Sequence, residues 1–184
     1  MGDNVFYGNI LSETFSKCVK ENKGCTVLCY SVDKPENFGV ALFNKNKKIS
    51  KVIEKPKKYI GNQAVVGMYF FDENVSNYAK KIKKSKRNEY EITDLINYYI
   101  KNKNIDHIKL GRGVTWFDAG TFDDLMKVSN FVKITEELQG LKIGCLDEIA
   151  LLEGNISIKQ FDKIIQNEKN PDNKSYLLKV RKDI

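Results

Sequence analysis

The chain has 184 residues and a mass of 21.2 kDa, and its 41% hydrophobic and 30% charged residues, with recurrent aromatic and β-branched side chains, exclude a disordered polypeptide. No apolar run reaches the roughly 20 residues that cross a bilayer, the start lacks signal-peptide features, and Cys18, Cys25, Cys29 and Cys145 form no disulfide framework, so a cytoplasmic protein with no membrane partner is expected. The net charge of +7 rests on scattered lysines, with only Arg87, Arg112 and Arg181 as arginines and no recognition motif beside them, which argues against a nucleic-acid binder.

Taken in chain order, residues 5–20 carry Ile10, Leu11, Phe15, Cys18 and Val19 at helical spacing, and Gly24 is placed to stop that helix. Residues 25–32 form a nearly continuous apolar run of strand length, the pattern of a sheet covered on both faces. Gly39–Phe43 and Ile49–Glu54 read as a hairpin around the polar turn Asn44-Lys45-Asn46-Lys47. A second buried strand is expected at 64–71, helices at 75–84 and 91–101, and a short strand at 105–110. A long helix starts at Thr121 and runs to Gln139, with Asp123 and Asp124 in the first turn, where the macrodipole favours anions. Ser157 and Gln160 form a capping-box signature ahead of Phe161, Ile164 and Ile165, in a helical tail that ends in a polar, poorly specified segment. The mixture is α/β. It divides into a body over residues 1–140 and a helical tail over 141–184.

Several residues can carry chemistry, each with a plainer reading beside it. Asp3 in Gly2-Asp3-Asn4 and Asp118 in Phe117-Asp118-Ala119-Gly120-Thr121 suit a turn, a helix cap, or a hard cation such as magnesium, which takes one or two carboxylates plus substrate phosphates. Glu54-Lys55-Pro56 ends a strand, because proline cannot continue a central ladder. There a carboxylate can accept sugar hydroxyls and an ammonium can meet a phosphate, or the two form a solvated ion pair. Arg87, in a chain that otherwise uses lysine, offers a planar fork for a phosphate, although the unexplained Arg181 weakens that reading. Trp116 suits a core position as well as a stacking platform. His107 lacks an acid or nucleophile nearby, and Cys25 with Cys29 read as buried thiols rather than a zinc pair.

Combined in this order, Gly2-Asp3-Asn4-Val5-Phe6-Tyr7-Gly8, Phe38-Gly39-Val40, Glu54-Lys55-Pro56, Ala64-Val65-Val66-Gly67-Met68-Tyr69-Phe70, Arg87-Asn88-Glu89-Tyr90-Glu91-Ile92-Thr93-Asp94 and Gly113-Val114-Thr115-Trp116-Phe117-Asp118-Ala119-Gly120-Thr121 resemble the glucose-1-phosphate thymidylyltransferases. The resemblance runs from Gly2 to about Val180. It implies a Rossmann-like nucleotidyltransferase fold and the joining of dTTP to glucose 1-phosphate, with Mg²⁺, to give dTDP-glucose and pyrophosphate, a step of dTDP-rhamnose-type nucleotide-sugar biosynthesis. It also implies a homo-oligomer. On this likeness Asp3 and Asp118 are the catalytic, metal-binding pair. Glu54 binds sugar hydroxyls, Lys55 and Arg87 meet the sugar phosphate, Gly39 and Val65 give backbone contacts to the sugar, and Phe38 and Trp116 join the substrate-binding set. In such enzymes a phosphate oxygen attacks the nucleotide's α-phosphorus in line, and positioning with charge neutralisation supplies most of the rate.

Departures from the family pattern are informative. Phe38 stands where the family has tyrosine, Asn88 where it has glycine, and Ala119 where it has threonine. The family's glycine-rich loop, which cradles the triphosphate with backbone N–H groups, has no counterpart in this sequence. The expected architecture is therefore an incomplete nucleotidyltransferase sheet flanked by helices. Strands 25–32 and 64–71 are expected to lack neighbours, so the chain alone is expected to be weakly stable, to self-associate, or to need a complementary amino-terminal chain. Two rival readings stand beside this one: a uridylyl- or adenylyltransferase relative, and a sugar-phosphate-binding or assembly fragment without catalysis.

Overall fold

The computed structural model describes residues 2–184, and the chain forms two compact units that divide between Val128 and Ser129. The first holds strands β1 (Asn4–Tyr7), β2 (Cys25–Ser31), β3 (Gly39–Phe43), β4 (Ile49–Glu54), β5 (Gln63–Phe71), β6 (Ile105–Lys109) and β7 (Thr115–Asp118). Between them lie helices α1 (Leu11–Glu21), α2 (Val75–Ala79) and α3 (Ile92–Lys101), and a 3₁₀ turn at Pro35–Asn37. Helix α4 (Phe122–Gln139) runs through the division between the units. Among the described residues no helix is long and apolar enough to cross a membrane.

Five strands form one sheet in the order β4-β3-β5-β2-β6, and β1 pairs with β7 in a separate two-stranded ladder. Within the five, β2 and β6 run parallel and the other registered pairs are antiparallel. The apolar run of β2 is explained by its two faces. Cys25, Val27 and Cys29 point into a core closed by Leu95, Ile96 and Tyr99 of α3, while Leu28 packs with Leu11 and Cys18 of α1 and with Val66. Helix α3 places Ile92, Leu95, Ile96, Tyr99 and Ile100 on one stripe at the 3.6-residue period. Burial of Leu95 or Ile96 contributes about 1.5–3 kcal/mol each. The sheet curls, so that the Phe43 ring of β3 lies 4.8 Å from His107 and 4.1 Å from the Lys109 ammonium, both on β6.

The hairpin, α3 and the capping box lie where the sequence places them, and five expectations need correction. Residues 5–7 are strand rather than helix, because their partners are Phe117, Trp116 and Thr115, more than 100 residues away and invisible to local periodicity. The helix of that region starts only at Leu11, and it ends at Glu21, ahead of Gly24. Helix α2 stops at Ala79 rather than 84; continuing it would stack Lys80, Lys81, Lys83 and Lys84 at repulsive i,i+3 and i,i+4 spacings. Strand β2 has neighbours on both sides, whereas β5 has β2 along one edge and β3 on the other at Ala64 alone. The end of the chain is ordered helix.

That helix belongs to the second unit, which packs α5 (Leu146–Leu152), α6 (Ile158–Asn167) and α7 (Pro171–Lys182) around Phe161, Ile165, Tyr176, Leu177 and Val180. Ser157 and Gln160 form a reciprocal capping box on α6. Asn170 caps α7 by accepting the Asn173 N–H, and Pro171 opens the helix at a position whose N–H has no partner in any helix. These caps specify a segment whose polarity reads as loop.

Candidate functional site

A cavity of about 430 Å³ in the first unit is lined by Asp3, Phe38, Gly39, Glu54, Lys55, Val65, Arg87, Trp116 and Asp118, so the structure brings together all nine residues singled out in the sequence. It adjoins a second hollow of about 630 Å³ that shares Phe38, Lys55, Trp116 and Asp118, which leaves the site open on that side.

Two carboxylates mark one end. Asn4 is registered with Asp118 in the β1–β7 ladder, and the Ala119 N–H donates to the Asp3 carbonyl at 2.6 Å, so Asp3 and Asp118 sit at the same end of that ladder. Asp3 thus lies at the entry of β1. Burial raises the Asp118 carboxyl above the ordinary aspartate range, the neighbouring Asp3 and then Asp124 raise it further, and Lys55 opposes them. The pair is a concentration of negative charge that a divalent cation would relieve. Among the described residues no group of three or more His, Cys, Asp or Glu could hold a metal ion, and the carboxylates at this end are two. Such a donor set fits magnesium, which keeps most of its shell for water and phosphate.

Asn4, which the sequence reading passed over, ties this end to the large sheet. Its amide nitrogen donates to Asp3 Oδ1 at 2.8 Å, while its Oδ1 accepts the Gly67 N–H of β5 at 3.1 Å and the Trp116 Nε1–H at 2.8 Å. A Cβ on Gly67 would fall 2.4 Å from the Asn4 amide, so glycine is required there. Trp116 is held further by Phe38 and Tyr30, with ring centroids 5.2 and 5.8 Å away. Phe38 therefore offers an aromatic wall and no hydroxyl.

The other end is a knot of opposite charges. Lys55 adopts φ of +40°, an uncommon backbone for a residue with a side chain, and this reversal at the end of β4 lets neighbouring Glu54 and Lys55 both reach the cavity. Glu54 faces Gly39 across the hairpin, and a Cβ on Gly39 would press on Thr93 at 2.8 Å. Burial raises the Glu54 carboxyl, as does Glu91, against the lowering pull of Lys55, Arg87 and a Thr93 hydrogen bond. The Arg87 guanidinium meets Glu89 at 3.0 Å, Glu91 at 3.5 Å and Glu54 at 3.7 Å. Asn88 follows at φ +62°, a conformation open to glycine and tolerated by asparagine, which explains how asparagine can stand at this turn.

Sequence reasoning also missed Tyr69, Thr93, Glu89 and Glu91, which line the cavity. The Tyr69 hydroxyl is pushed up to about 12 by burial and then by Glu54, with Asp118 and Asp3 adding to it. Thr93 and Glu91 lie within the quoted motifs, and Tyr69 alternates with Gly67 and Val65 on β5; strand parity was the available signal. His107 lies half-buried against Phe43, with its pKa lowered by burial, and Cys25 and Cys29 are buried thiols pushed up to about 12, in keeping with structural roles.

Comparison with known proteins gives consistent matches. The family model for nucleotidyl transferases matches residues 1–135. A glucose-1-phosphate thymidylyltransferase of Neisseria meningitidis serogroup A is 36% identical over 99% of this chain and 63% of its own length. One from Xanthomonas campestris pv. campestris strain B100 is 37% identical over 99% of this chain and 62% of its own length. The chain thus spans somewhat under two thirds of these curated relatives. A Bacillus anthracis protein described as a glucose-1-phosphate thymidylyltransferase, crystallised with sucrose, superposes with a TM-score of 0.60 at 38% identity, over 71% of this chain and 51% of that one. A UDP-glucose pyrophosphorylase bound to UDP-glucose superposes with a TM-score of 0.63 at 21% identity, over 72% of this chain and 54% of that one, which is a likeness of fold.

Proposed function

We propose, because the chain belongs to the nucleotidyl transferase family, that it supplies the sugar-phosphate and metal side of a glucose-1-phosphate thymidylyltransferase, which transfers dTMP from dTTP to glucose 1-phosphate and releases pyrophosphate. The observation that carries this reading is the convergence of the nine residues on one cavity, with Lys55 acting on both the Asp118 and the Glu54 carboxyls. In this reading Asp3 and Asp118 hold magnesium, which when bound neutralises phosphate charge. Glu54 accepts hydrogen bonds from sugar hydroxyls, and the narrow approach at Gly39 with Thr93 behind it limits the width available to the ring. Lys55 gives a point charge to the sugar phosphate. Arg87 exchanges part of its carboxylate contacts for the same phosphate, gaining a bidentate, charge-assisted grip. The attacking phosphate oxygen is thereby fixed in place, and fixing it is most of the catalysis such a transfer needs.

Turnover in this reading requires a complementary amino-terminal polypeptide, because the chain carries no glycine-rich phosphate loop. That same observation favours the second reading, a chain that binds the sugar phosphate without catalysis. Calorimetry with glucose 1-phosphate, with and without Mg²⁺, tests both. We expect saturable binding to the chain alone, and release of pyrophosphate from dTTP only after the amino-terminal part of a relative is added. No binding under either condition would sink both readings, and binding without turnover in the complemented mixture would leave the second.

A further inference from the structure

Arg87 stands on a stretch without helix or strand, between α2, which ends at Ala79, and α3, which begins at Ile92. A long side chain on such a segment samples many positions unless the backbone beneath it is held. Ser85 holds it, since its backbone and its hydroxyl both bond within residues 87–91. The Ser85 N–H donates to the Glu89 carbonyl at 2.8 Å, and the Ser85 carbonyl accepts the Asn88 N–H at 2.9 Å. The hydroxyl accepts the Arg87 N–H at 3.1 Å and donates to Glu91 Oε1 at 2.8 Å. Asn88, at φ +62°, supplies the left-handed step that closes this turn. Glu91 fastens the turn to the body of the unit. It occupies the cap position of α3, yet its side chain makes no capping bond there and turns to Ser85 and Arg87 instead. Helix α3 is itself fixed by Leu95, Ile96 and Tyr99 in the core.

We propose that Ser85 is a positioning residue, its hydroxyl clasping Arg87 and Glu91 together so that the guanidinium faces the phosphate of the bound sugar. The proposal rests on the phosphate role given to Arg87 above and adds the device that aims it. Ser85 lies outside the lining of the cavity. It lines a neighbouring hollow of about 350 Å³, and Glu54, Arg87, Glu91 and Thr93 belong to both. The hydroxyl therefore acts from behind the residues that meet the ligand. A serine that only forms a turn needs a bond to its own segment. Here the same oxygen also reaches a carboxylate paired with Arg87, so one atom sets both the backbone under the arginine and one of its counter-ions. The Glu91 oxygen that accepts the serine hydroxyl is the one 3.5 Å from the guanidinium. That separation is longer than a tight charge-assisted hydrogen bond, so the fork stays free to turn to a phosphate while the clasp keeps it in place.

Calorimetric titration of the whole chain with glucose 1-phosphate tests this. Ser85→Ala should weaken binding about fivefold, while Ser85→Thr, which keeps the hydroxyl, should stay within about twofold of the parent. The Mg²⁺ titration should be unchanged in Ser85→Ala, because the bonds of Ser85 all go to residues 87–91. In an Arg87→Lys background no planar fork is left to aim, so Ser85→Ala should there add less than about twofold, the non-additivity of a residue that acts through Arg87. Parent affinity in Ser85→Ala, beside an Arg87→Lys that binds weakly, overturns the proposal and leaves the functional reading standing. An equal loss in both backgrounds overturns it too, as does a threonine variant that binds no better than the alanine one. A matching loss of Mg²⁺ affinity would mark a general loosening of the unit and has the same consequence. An Arg87→Lys that binds like the parent sinks the phosphate role of Arg87, and the proposal falls with it.

Discussion

At one end of the cavity Asp3 and Asp118 crowd their negative charge together, and burial holds Asp118 above the ordinary aspartate range. At the other, Arg87 is surrounded by Glu89, Glu91 and Glu54 at 3.0, 3.5 and 3.7 Å. The first end sets two like charges side by side, with Lys55 as the cation that opposes them. The second is already neutralised and must give up contacts before it can take an anion. Two charged sites in one hollow therefore teach different things: like charges held together favour the arrival of an opposite charge, while a guanidinium already paired with carboxylates sets any incoming anion in competition with the protein.

Removing one of the like charges should have the largest effect. In Asp118→Asn the calorimetric signal for Mg²⁺ should vanish, along with metal-dependent turnover in the complemented mixture; a retained signal would take Asp118 out of the metal site. Arg87→Lys should weaken glucose 1-phosphate about tenfold, since an ammonium cannot reproduce a planar two-point grip and a charged hydrogen bond contributes about 1.5–3 kcal/mol. An unchanged dissociation constant would return Arg87 to a purely internal ion pair. Glu89→Gln should act in the opposite direction and more weakly. The Arg87–Glu89 pair is half-exposed, so stability should change by at most about 1 kcal/mol while affinity for glucose 1-phosphate rises a few-fold.

The smallest effect is a dependence on pH that should separate the two ends. A carboxyl raised on folding holds its proton more tightly in the native state, so its ionised form costs stability at neutral pH. That cost disappears as pH falls through the raised native value. Asp118→Asn should accordingly melt higher than the parent at neutral pH without metal, and the two should converge in acid. A parent that melts higher at neutral pH would show that the carboxylate pair is already relieved. Glu54 is raised as well, by burial first and Glu91 second, so glucose 1-phosphate affinity should fall with acid from above the ordinary glutamate range.

Much of this site was legible because its residues sit in short runs whose wording survives in the sequence, such as Glu54-Lys55-Pro56 and Trp116-Phe117-Asp118. The hairpin and α3 were legible because local alternation and helical spacing decide them. What stayed hidden depends on distant partners. Four-residue β1 and β7 carry no periodicity of their own and exist because each pairs with the other. Asn4 shows no role until Gly67 and Trp116 are seen on its oxygen. Arg87 reads as a free fork until three carboxylates, one of them from the end of β4, close on it. The final helix was hidden for a different reason, since its caps outweigh a polar composition.

The pairing of Asn4 with Asp118 has a consequence for synthesis. Ribosomes deliver about 5–20 residues per second, so β1 waits roughly 6–20 s for β7 to be made. During that interval β2 to β6 can be completed, with their helices, while Asp3 remains without its partner. The aspartates therefore come together late in the birth of the first unit, and a nascent chain can hold its core well before these two carboxylates meet.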